Sequence, residues 1–276
     1  MTGICTALAI TGGSNPLNVV TLRTVTATLL VLAWLRFAGV PLAISRGDAG
    51  RALIVAVPLA LNNYMLNAAF GEIPVPLAVL IFYLWPALTT AASWMTGREP
   101  FRWRTAAGLA LAFAGVALAL NVELTAAQAK GVWLALGASV AWSLSFLLTG
   151  HFFRGRDTRA PTLHMSLMVL GFFVVACAIT ADVRLPGTLP GWTGIVGVGF
   201  FYAFALIGLF AATARIGPAR SGFYMNFEPV ASVLLAALIL GQRLAPVQLA
   251  GAALVISALF LFRPPGFAPA SPSRRS

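Results

Sequence analysis

The sequence is poor in charged residues, and poorest in acidic ones. Only 9% of its 276 residues are charged, and just seven are Asp or Glu, whereas a typical soluble domain has about 25% charged residues. Hydrophobic residues make up 59% of the chain. A soluble fold of this size needs far more polar surface. The composition therefore predicts a protein that crosses a membrane several times.

The scarcity of other residue types excludes several chemistries. There are two cysteines, both in apolar runs, and two histidines without a Cys/His cluster, so neither a disulfide framework nor a Cys-rich metal site is available. The single lysine, Lys130, lies in a loop, which excludes a retinal Schiff base. No P-loop, H-E-x-x-H or G-x-S-x-G motif occurs. We predict that the protein is not an enzyme and needs no cofactor or metal.

Apolar runs of about 20 residues recur along the chain, which is the length that a helix needs to cross a bilayer. The predicted membrane-spanning helices are 16–37, 52–71, 75–96, 105–121, 131–152, 161–180, 191–213, 218–240 and 246–262. A tenth apolar run, Thr2–Thr11, has about half the required length. The predicted fold is an all-α bundle of ten helices, nine of them full and the first one shortened.

The basic residues predict the orientation of this bundle. With both termini in the cytoplasm, 14 basic residues face inside and 3 face outside, and Arg23 lies within a helix. The inside residues are Arg36, Arg46, Arg51, Arg98, Arg102, Arg104, Arg154, Arg156, Arg159, Arg215, Arg220, Arg263, Arg274 and Arg275; the outside ones are Lys130, Arg184 and Arg243. An excess of Lys and Arg on the cytoplasmic side is the rule for membrane proteins. The net charge of +11 is thus explained by topology, and no nucleic-acid partner is predicted.

An internal repeat divides the chain in two. Adding 143 to a residue number superposes Pro86 on Pro229, Trp85 on Glu228 and Gly108 on Gly251. Because each half has five helices, an odd number, the two halves must have opposite orientations, as in many transporters. The predicted domains are residues 1–121, residues 131–262 and a disordered cytoplasmic tail, residues 263–276.

The same repeat bears on the start of the chain. The second half begins near Gly131, so the first helix is expected to begin about a dozen residues before Met1. A truncation or a downstream start explains this offset. A short first helix completed by a neighbour is the alternative.

Glu228 is the one acidic residue in the middle of an apolar run, within the segment Asn226-Phe227-Glu228-Pro229. A carboxylate in hydrocarbon is costly, so it persists where it faces protein or a watery cavity. Glu228 could exchange a proton or hold a substrate ammonium group, with Tyr224 on the same helix face and Asn226 beside it. The alternative is a structural carboxylic acid bonded to a carbonyl of a broken helix.

Through the repeat, Trp85 corresponds to Glu228, which predicts an aromatic wall opposite the acidic one. Tyr83 and Trp85 are therefore candidates for shaping a site that accepts an amine with an apolar portion. Lipid exposure, or packing against other helices, is the alternative for both.

Four further residues are candidate polar or aromatic contacts. Arg23 could bind a substrate carboxylate, pair with Glu228, or extend to the membrane surface. Asn63 and Asn67, four residues apart on one helix face, either line the cavity or bridge helices. Trp142 belongs to a similar stripe on the sixth helix.

Three prolines, Pro58, Pro86 and Pro229, fall in the middle of predicted helices. Each removes a backbone hydrogen bond to the carbonyl four residues earlier and bends the helix. They are candidate hinges or fixed bends.

Several motifs together resemble one known family. Tyr83-Leu84-Trp85-Pro86 with Gly97-Arg98-Glu99, and Phe227-Glu228-Pro229-Val230 with Gly241-Gln242-Arg243-Leu244, are similar to the EamA domain of the drug/metabolite transporter superfamily. The resemblance covers nearly the whole chain and implies ten helices in two inverted EamA repeats, both termini in the cytoplasm, and export or exchange of small metabolites. Two features depart from the pattern: Gln242 replaces the usual glutamate, and the first helix lacks its Trp-Gly region.

We therefore expect a secondary transporter of the bacterial inner membrane, a monomer or homodimer surrounded by lipid. Its expected substrate is a small amphipathic metabolite, an amino acid or amine-like molecule, exported or exchanged by alternating access with possible proton coupling. The alternatives are a multidrug efflux pump of the same fold and a non-transporting scaffold or receptor subunit.

Overall fold

Within a bilayer the backbone must satisfy its own hydrogen bonds, so apolar runs fold as helices. The computed structural model describes residues 2–261 except 71, 74, 98–99, 121–128, 182–183, 229 and 232–245, and in this part of the chain all regular structure is helical. The helices are α1 (Thr2–Thr11), α2 (Pro16–Phe37), α3 (Arg46–Phe70), α4 (Val75–Phe82), α5 (Trp85–Met95), α6 (Trp103–Leu120), α7 (Ala129–Phe152), α8 (Arg159–Thr180), α9 (Leu189–Ile216), α10 (Pro218–Met225) and α11 (Pro246–Leu261).

Six stretches are long and apolar enough to cross a membrane: α2, α3, α7, α8, α9 and the combined stretch Leu77–Met95. Large apolar side chains remain on the outside of the bundle; Phe37 is 92% exposed and Phe204 72%. An apolar surface of this extent is stable only in lipid, so the chain is an integral membrane protein.

Local sequence sets where the main helices begin. Asn15 precedes α2, and its side-chain oxygen accepts a 2.8 Å hydrogen bond from the backbone N–H of Asn18. Thr188 does the same for α9 at 3.2 Å, through the N–H of Gly191. Each cap is followed by a proline within the first two helical positions, where the missing N–H costs no hydrogen bond.

Helix packing brings the two halves of the chain together. α3 packs along α7, α6 against α11, and α9 against both α1 and α2. Small residues allow the closest approaches: a Cβ on Gly194 of α9 would lie 2.6 Å from the backbone oxygen of Cys5, and one on Gly115 would lie 2.8 Å from that of Gly251. Contact of this kind is the usual way in which membrane helices associate.

Ion pairs join α3 and α7 at both ends of the bundle. We call the end of the bundle that carries most of the arginines the arginine-rich end. There, Asp48 of α3 pairs with Arg156, which follows α7. At the opposite end Glu72, just after α3, pairs with Lys130 in the first turn of α7. Helices α3 and α7 therefore span the same length of the bundle and are joined near both of their ends.

The predicted spans lie within two or three residues of most observed helices. The largest difference is the predicted helix 75–96, which consists of α4 and α5 with a break at Tyr83 and Leu84. α3 also begins at Arg46, six residues before the prediction, because its polar first turn is hydrogen-bonded: the Ser45 hydroxyl accepts from the N–H of Asp48. Pro229, Gln242, residues 232–240 of the predicted 218–240 helix and the tail 263–276 lie outside the described residues.

Candidate functional site

Two helix breaks lie at the centre of the candidate site. Between α4 and α5 the N–H of Leu84 donates to the carbonyl of Ile81, a three-residue turn, just before Pro86. At the end of α10 the N–H of Asn226 donates in the same way to Phe223. Proline cannot donate to the carbonyl four residues earlier, so the helix tightens or opens ahead of it. Tyr83 and Asn226, one at each break, are 143 residues apart, which is the spacing of the sequence repeat.

Tyr83 connects the first break to Glu228. Its ring is buried, 7% exposed, against Val116, Val230 and Val255, and its hydroxyl is close enough to the Glu228 carboxyl to interact with it electrostatically. Glu228 is itself exposed, although protein atoms surround it closely. Glu228 therefore has one phenol, that of Tyr83, as its neighbour and an exposed face beside the second helix break.

Trp85 lies in the interior of an aromatic cluster and not at an open surface. It is 1% exposed, and its ring centroid is 4.6 Å from that of Phe146 and 6.3 Å from that of Trp142. On the other side Gly222 of α10 leaves room for the indole: a Cβ there would be 3.0 Å from the ring. The Ser143 hydroxyl donates to the Trp85 carbonyl at 2.9 Å. Trp85 thus anchors α5 between α7 and α10.

The other aromatic and polar candidates near this cluster differ in exposure. Trp142 is half-buried and also stacks edge-on with Phe82, at 6.2 Å between centroids. Tyr224 is 45% exposed. Asn226 is buried and its amide donates to the Phe223 carbonyl at 2.9 Å, so its side chain closes the end of α10.

Arg23 lies a few turns into α2 and stays inside the protein. Its Nη2 donates a 2.8 Å hydrogen bond to Oδ1 of Asn63 on α3, and its guanidinium lies 4.2 Å from the ring centroid of Tyr202 on α9. Its Nε is buried and has no hydrogen-bond partner. The hydrogen-bond partner of Arg23 is therefore Asn63 rather than Glu228, and the side chain does not extend to the membrane surface.

The asparagines of α3 both line space and join helices. Asn63 holds Arg23 and also donates to the Leu59 carbonyl at 2.8 Å, while Asn67 donates to the Asn63 carbonyl at 2.7 Å. Asn67 lines a cavity of about 330 Å³ at the end opposite the arginine-rich one, together with Asn15 and Tyr64. Asn62 bridges to α7 through the Ala138 carbonyl at 3.0 Å. The sequence allowed Asn63 and Asn67 either to line a cavity or to bridge helices. In the structure Asn63 bridges α2 and α3, and Asn67 lines a cavity.

Of the candidate hinges, Pro58 and Pro86 lie in the described residues and differ from each other. α3 continues through Pro58 without a break, whereas Pro86 follows the interruption at Tyr83 and Leu84. Pro86 is thus the one of the two at which the helix is already divided.

Tyr202 was missed at the sequence level. It lies under Arg23 and packs against the apolar cluster that also contacts Trp142. One signal was present, since Tyr202 is one of only four tyrosines and falls within an apolar helix, but only the packing of α2 on α9 shows which cation it meets.

This fold and site define a polytopic α-helical membrane protein with an internal arginine and two interrupted helices. The sequence profile of the EamA-like transporter family matches residues 1–121 and 129–263. The chain belongs to that family, and it is a membrane transporter rather than an enzyme.

Three relatives of the chain are distant in sequence. The uncharacterized inner membrane transporter YedA of Escherichia coli (strain K12) is 24% identical over 253 residues, which cover 89% of this chain and 81% of YedA. The threonine/homoserine exporter RhtA of the same strain is 26% identical over 214 residues, 75% of this chain and 68% of RhtA. A probable terminal-alkyne amino-acid exporter of Streptantibioticus cattleyicolor is 25% identical over 255 residues, 84% of this chain and 82% of that protein.

The fold also matches a crystal structure of a protein with a TM-score of 0.80 and 18% identity. The match covers 94% of this chain and 91% of that one. At this identity the match shows the fold alone.

Proposed function

We propose that the protein exports or exchanges a small amphipathic metabolite that carries a carboxylate and an amine, in the simplest case an amino acid. The observation that carries this proposal is Arg23, a cation in the interior with a buried Nε that has no partner. A buried donor without an acceptor is unfavourable by about 1–3 kcal/mol. A ligand oxygen placed there would remove that penalty.

The partners of Arg23 fit a carboxylate site. Asn63 and Tyr202 hold the guanidinium in place but are both neutral, so the positive charge is not cancelled by them. The planar guanidinium can donate two parallel hydrogen bonds to one carboxylate, which a lysine cannot do. We assign carboxylate recognition to Arg23, with Asn63 as its positioning residue and Asn67, one turn further along α3, lining the cavity at that end of the bundle.

Glu228 is our candidate for the opposite charge. Its carboxyl, exposed and next to Tyr83, could hold the substrate ammonium group or exchange a proton as the substrate leaves. Trp142 and Tyr224 are the neighbouring candidates for contact with the apolar part of the substrate, and Asn226 is the candidate that holds the end of α10 beside Glu228. Trp85, being fully buried, would act through Trp142 rather than by direct contact.

The repeat supports transport by alternating access. We propose that residues 1–121 and 131–262 are two inverted halves, because their helix breaks at Tyr83 and Asn226 obey the 143-residue spacing. In such transporters the site lies between the halves and opens to either side in turn. The distribution of arginines supports cytoplasmic termini in a bacterial inner membrane. The names of two relatives, exporters of threonine and homoserine and of an alkyne amino acid, support an amino-acid substrate.

The decisive experiment measures transport of labelled amino acids and their methyl esters by the purified chain in proteoliposomes. If Arg23 binds the carboxylate, Arg23→Gln and esterification each reduce transport about 10-fold or more, and the two losses do not add. Arg104→Gln, an exposed arginine on α6, is the matched control and should transport normally. Equal transport of acid and ester by the unmodified chain would reject the proposal in favour of a multidrug pump, and no transport of any substrate would favour a scaffold.

Proton coupling has a separate test. A pH gradient should stimulate transport by the unmodified chain and not by Glu228→Gln. Equal stimulation of both proteins would end the coupling hypothesis while leaving the carboxylate site intact.

A further inference from the structure

Two adjoining spaces at the arginine-rich end of the bundle have not been assigned above. One is a polar cavity of about 590 Å³ whose lining includes Arg156, Asp157, Arg159 and Arg215. The other is an apolar groove of about 490 Å³ between α2 and α9, lined by Leu30, Phe37, Phe200 and Phe204 among others. Trp34 and Ile207 line both spaces, so the two are continuous.

The groove lies on the outer surface of two membrane-spanning helices. Phe37 and Phe204, which line it, are among the most exposed apolar residues of the described chain. Gly208 widens it, because a Cβ at this position would meet no atom within 4 Å. A concave apolar surface in this position is filled by acyl chains.

The polar cavity carries an excess of positive charge. Three arginines and one aspartate among its lining residues leave a net charge of +2. The Arg159 side chain donates three hydrogen bonds to Asp157, at 2.7–3.0 Å. This interaction lowers the pKa of the Asp157 carboxyl, which is therefore ionised at neutral pH. Arg156 is held by Asp48. Arg215 is exposed, and no direct ion pair is formed by it among the described residues.

The combined shape and charge match one kind of molecule. A soluble anion would make no apolar contacts in the groove, and a lipid without net charge would be attracted only weakly by the arginines. An indole at the junction, Trp34, is typical of the level at which lipid headgroups meet acyl chains. We propose that this continuous crevice binds an anionic phospholipid of the adjacent leaflet, its phosphate at Arg215 and Arg159 and one acyl chain between α2 and α9.

Lipids with brominated acyl chains test the proposal, because they quench nearby tryptophans. The full-length chain is placed in bilayers with brominated phosphatidylglycerol or brominated phosphatidylcholine, and the Trp34 signal is taken as the difference from Trp34→Phe. The unmodified chain should prefer phosphatidylglycerol about fivefold or more, since each arginine near the surface favours an anionic lipid about fivefold. Arg215→Gln should reduce this preference several-fold, and the control Arg104→Gln should not.

The binding of the acyl chain is tested by a substitution that fills the groove and leaves the charged residues unchanged. Gly208→Phe should suppress quenching of Trp34 by either lipid. The same substitution at Gly171 of α8, where a Cβ also meets nothing within 4 Å, should leave quenching unchanged. Neither glycine is part of the candidate transport site.

Three results would overturn the proposal. These are equal quenching by the two lipids, an undiminished preference in Arg215→Gln, and quenching in Gly208→Phe as strong as in Gly171→Phe. Glycerol 1-phosphate, which offers the phosphate without the chains, separates the two sources of phosphate. If it displaces the brominated lipid at equal concentration, the cavity is a site for soluble phosphate and not for lipid.

Discussion

Both terminal nitrogens of Arg156 donate to the two carboxylate oxygens of Asp48, at 2.8 and 2.9 Å, and so join the loop after α7 to the first turn of α3. Arg51 makes only one such bond, at 2.9 Å, to the same carboxylate. The two arginines therefore offer a matched comparison of a bidentate and a single contact.

Arg156→Gln should lower the melting temperature more than Arg51→Gln, because two parallel charge-assisted hydrogen bonds are stronger than one. The decrease should be only about 1–3 °C, because the pair is partly exposed to solvent. Thermal unfolding of both variants in detergent checks this. The double change Asp48→Asn with Arg156→Gln should be no worse than Asp48→Asn alone. Fully additive losses would show that the pair is not coupled.

Asn63 is predicted to control the charge of the candidate carboxylate site. Asn63→Asp places a carboxylate 2.8 Å from the Arg23 Nη2 and should compete with the substrate carboxylate, reducing transport about 10-fold or more. Asn67→Asp, one turn away and bonded to backbone instead, should have a smaller effect. Transport assays with the amino acid and its methyl ester distinguish the two cases, since Asn63→Asp should spare the ester. A loss of equal size for acid and ester would contradict the prediction.

Two glycines of α9 are predicted to respond in opposite directions to the same change. Gly194→Ala forces a methyl group to within 2.6 Å of the Cys5 carbonyl oxygen in α1, a backbone atom that cannot rotate away. We expect a loss of about 1–3 kcal/mol in unfolding free energy. Gly208→Ala, in open space on the same helix, should raise it by about 0.5–1 kcal/mol. Chemical unfolding of both variants measures the difference, and equal effects would mean that α1 does not pack on α9 as described.

Pro86 is predicted to matter more for the transport cycle than Pro58. Pro86→Ala permits a new bond from residue 86 to the Phe82 carbonyl, worth about 1 kcal/mol, which would favour a continuous helix over the broken one by about fivefold. Exchange rates should fall accordingly. Pro58→Ala, in a helix that is already continuous, should change them less. Rates of labelled substrate exchange at saturating substrate provide the measurement; a larger effect at Pro58 would contradict the assignment of Pro86 as the hinge.

Helix positions were predictable because hydropathy and length act locally. The observed α2, Pro16–Phe37, has the predicted bounds, and α8 begins two residues early. The break at Tyr83 was not located, although Pro86 was recognised, because the hydrogen bond that a proline removes belongs to the carbonyl four residues upstream. The position of the helix break therefore depends on tertiary contacts, such as the hydrogen bond from the Ser143 hydroxyl to the Trp85 carbonyl.

The candidate site was predictable as a set of unusual residues but not as a set of pairs. Arg23, Asn63 and Glu228 stand out in the sequence because polar groups are rare in its apolar runs. Which of them meet depends on how helices far apart in sequence pack. Arg23 bonds to a residue 40 positions away and lies on the ring of Tyr202. Trp85 was expected opposite Glu228 at the cavity, but the glycine at 222 lets α10 close over it.

The pinning of α3 to α7 at both of its ends has a mechanical consequence. Two helices joined at one end can change their crossing angle, whereas two helices joined at both ends are expected to move as one rigid unit. We expect the proposed alternating access to leave the α3–α7 pair intact and to involve the interrupted segments beside it, α4–α5 and α10. Distance probes on α3 and α7 should therefore stay constant through the cycle, while probes spanning α5 and α10 alternate.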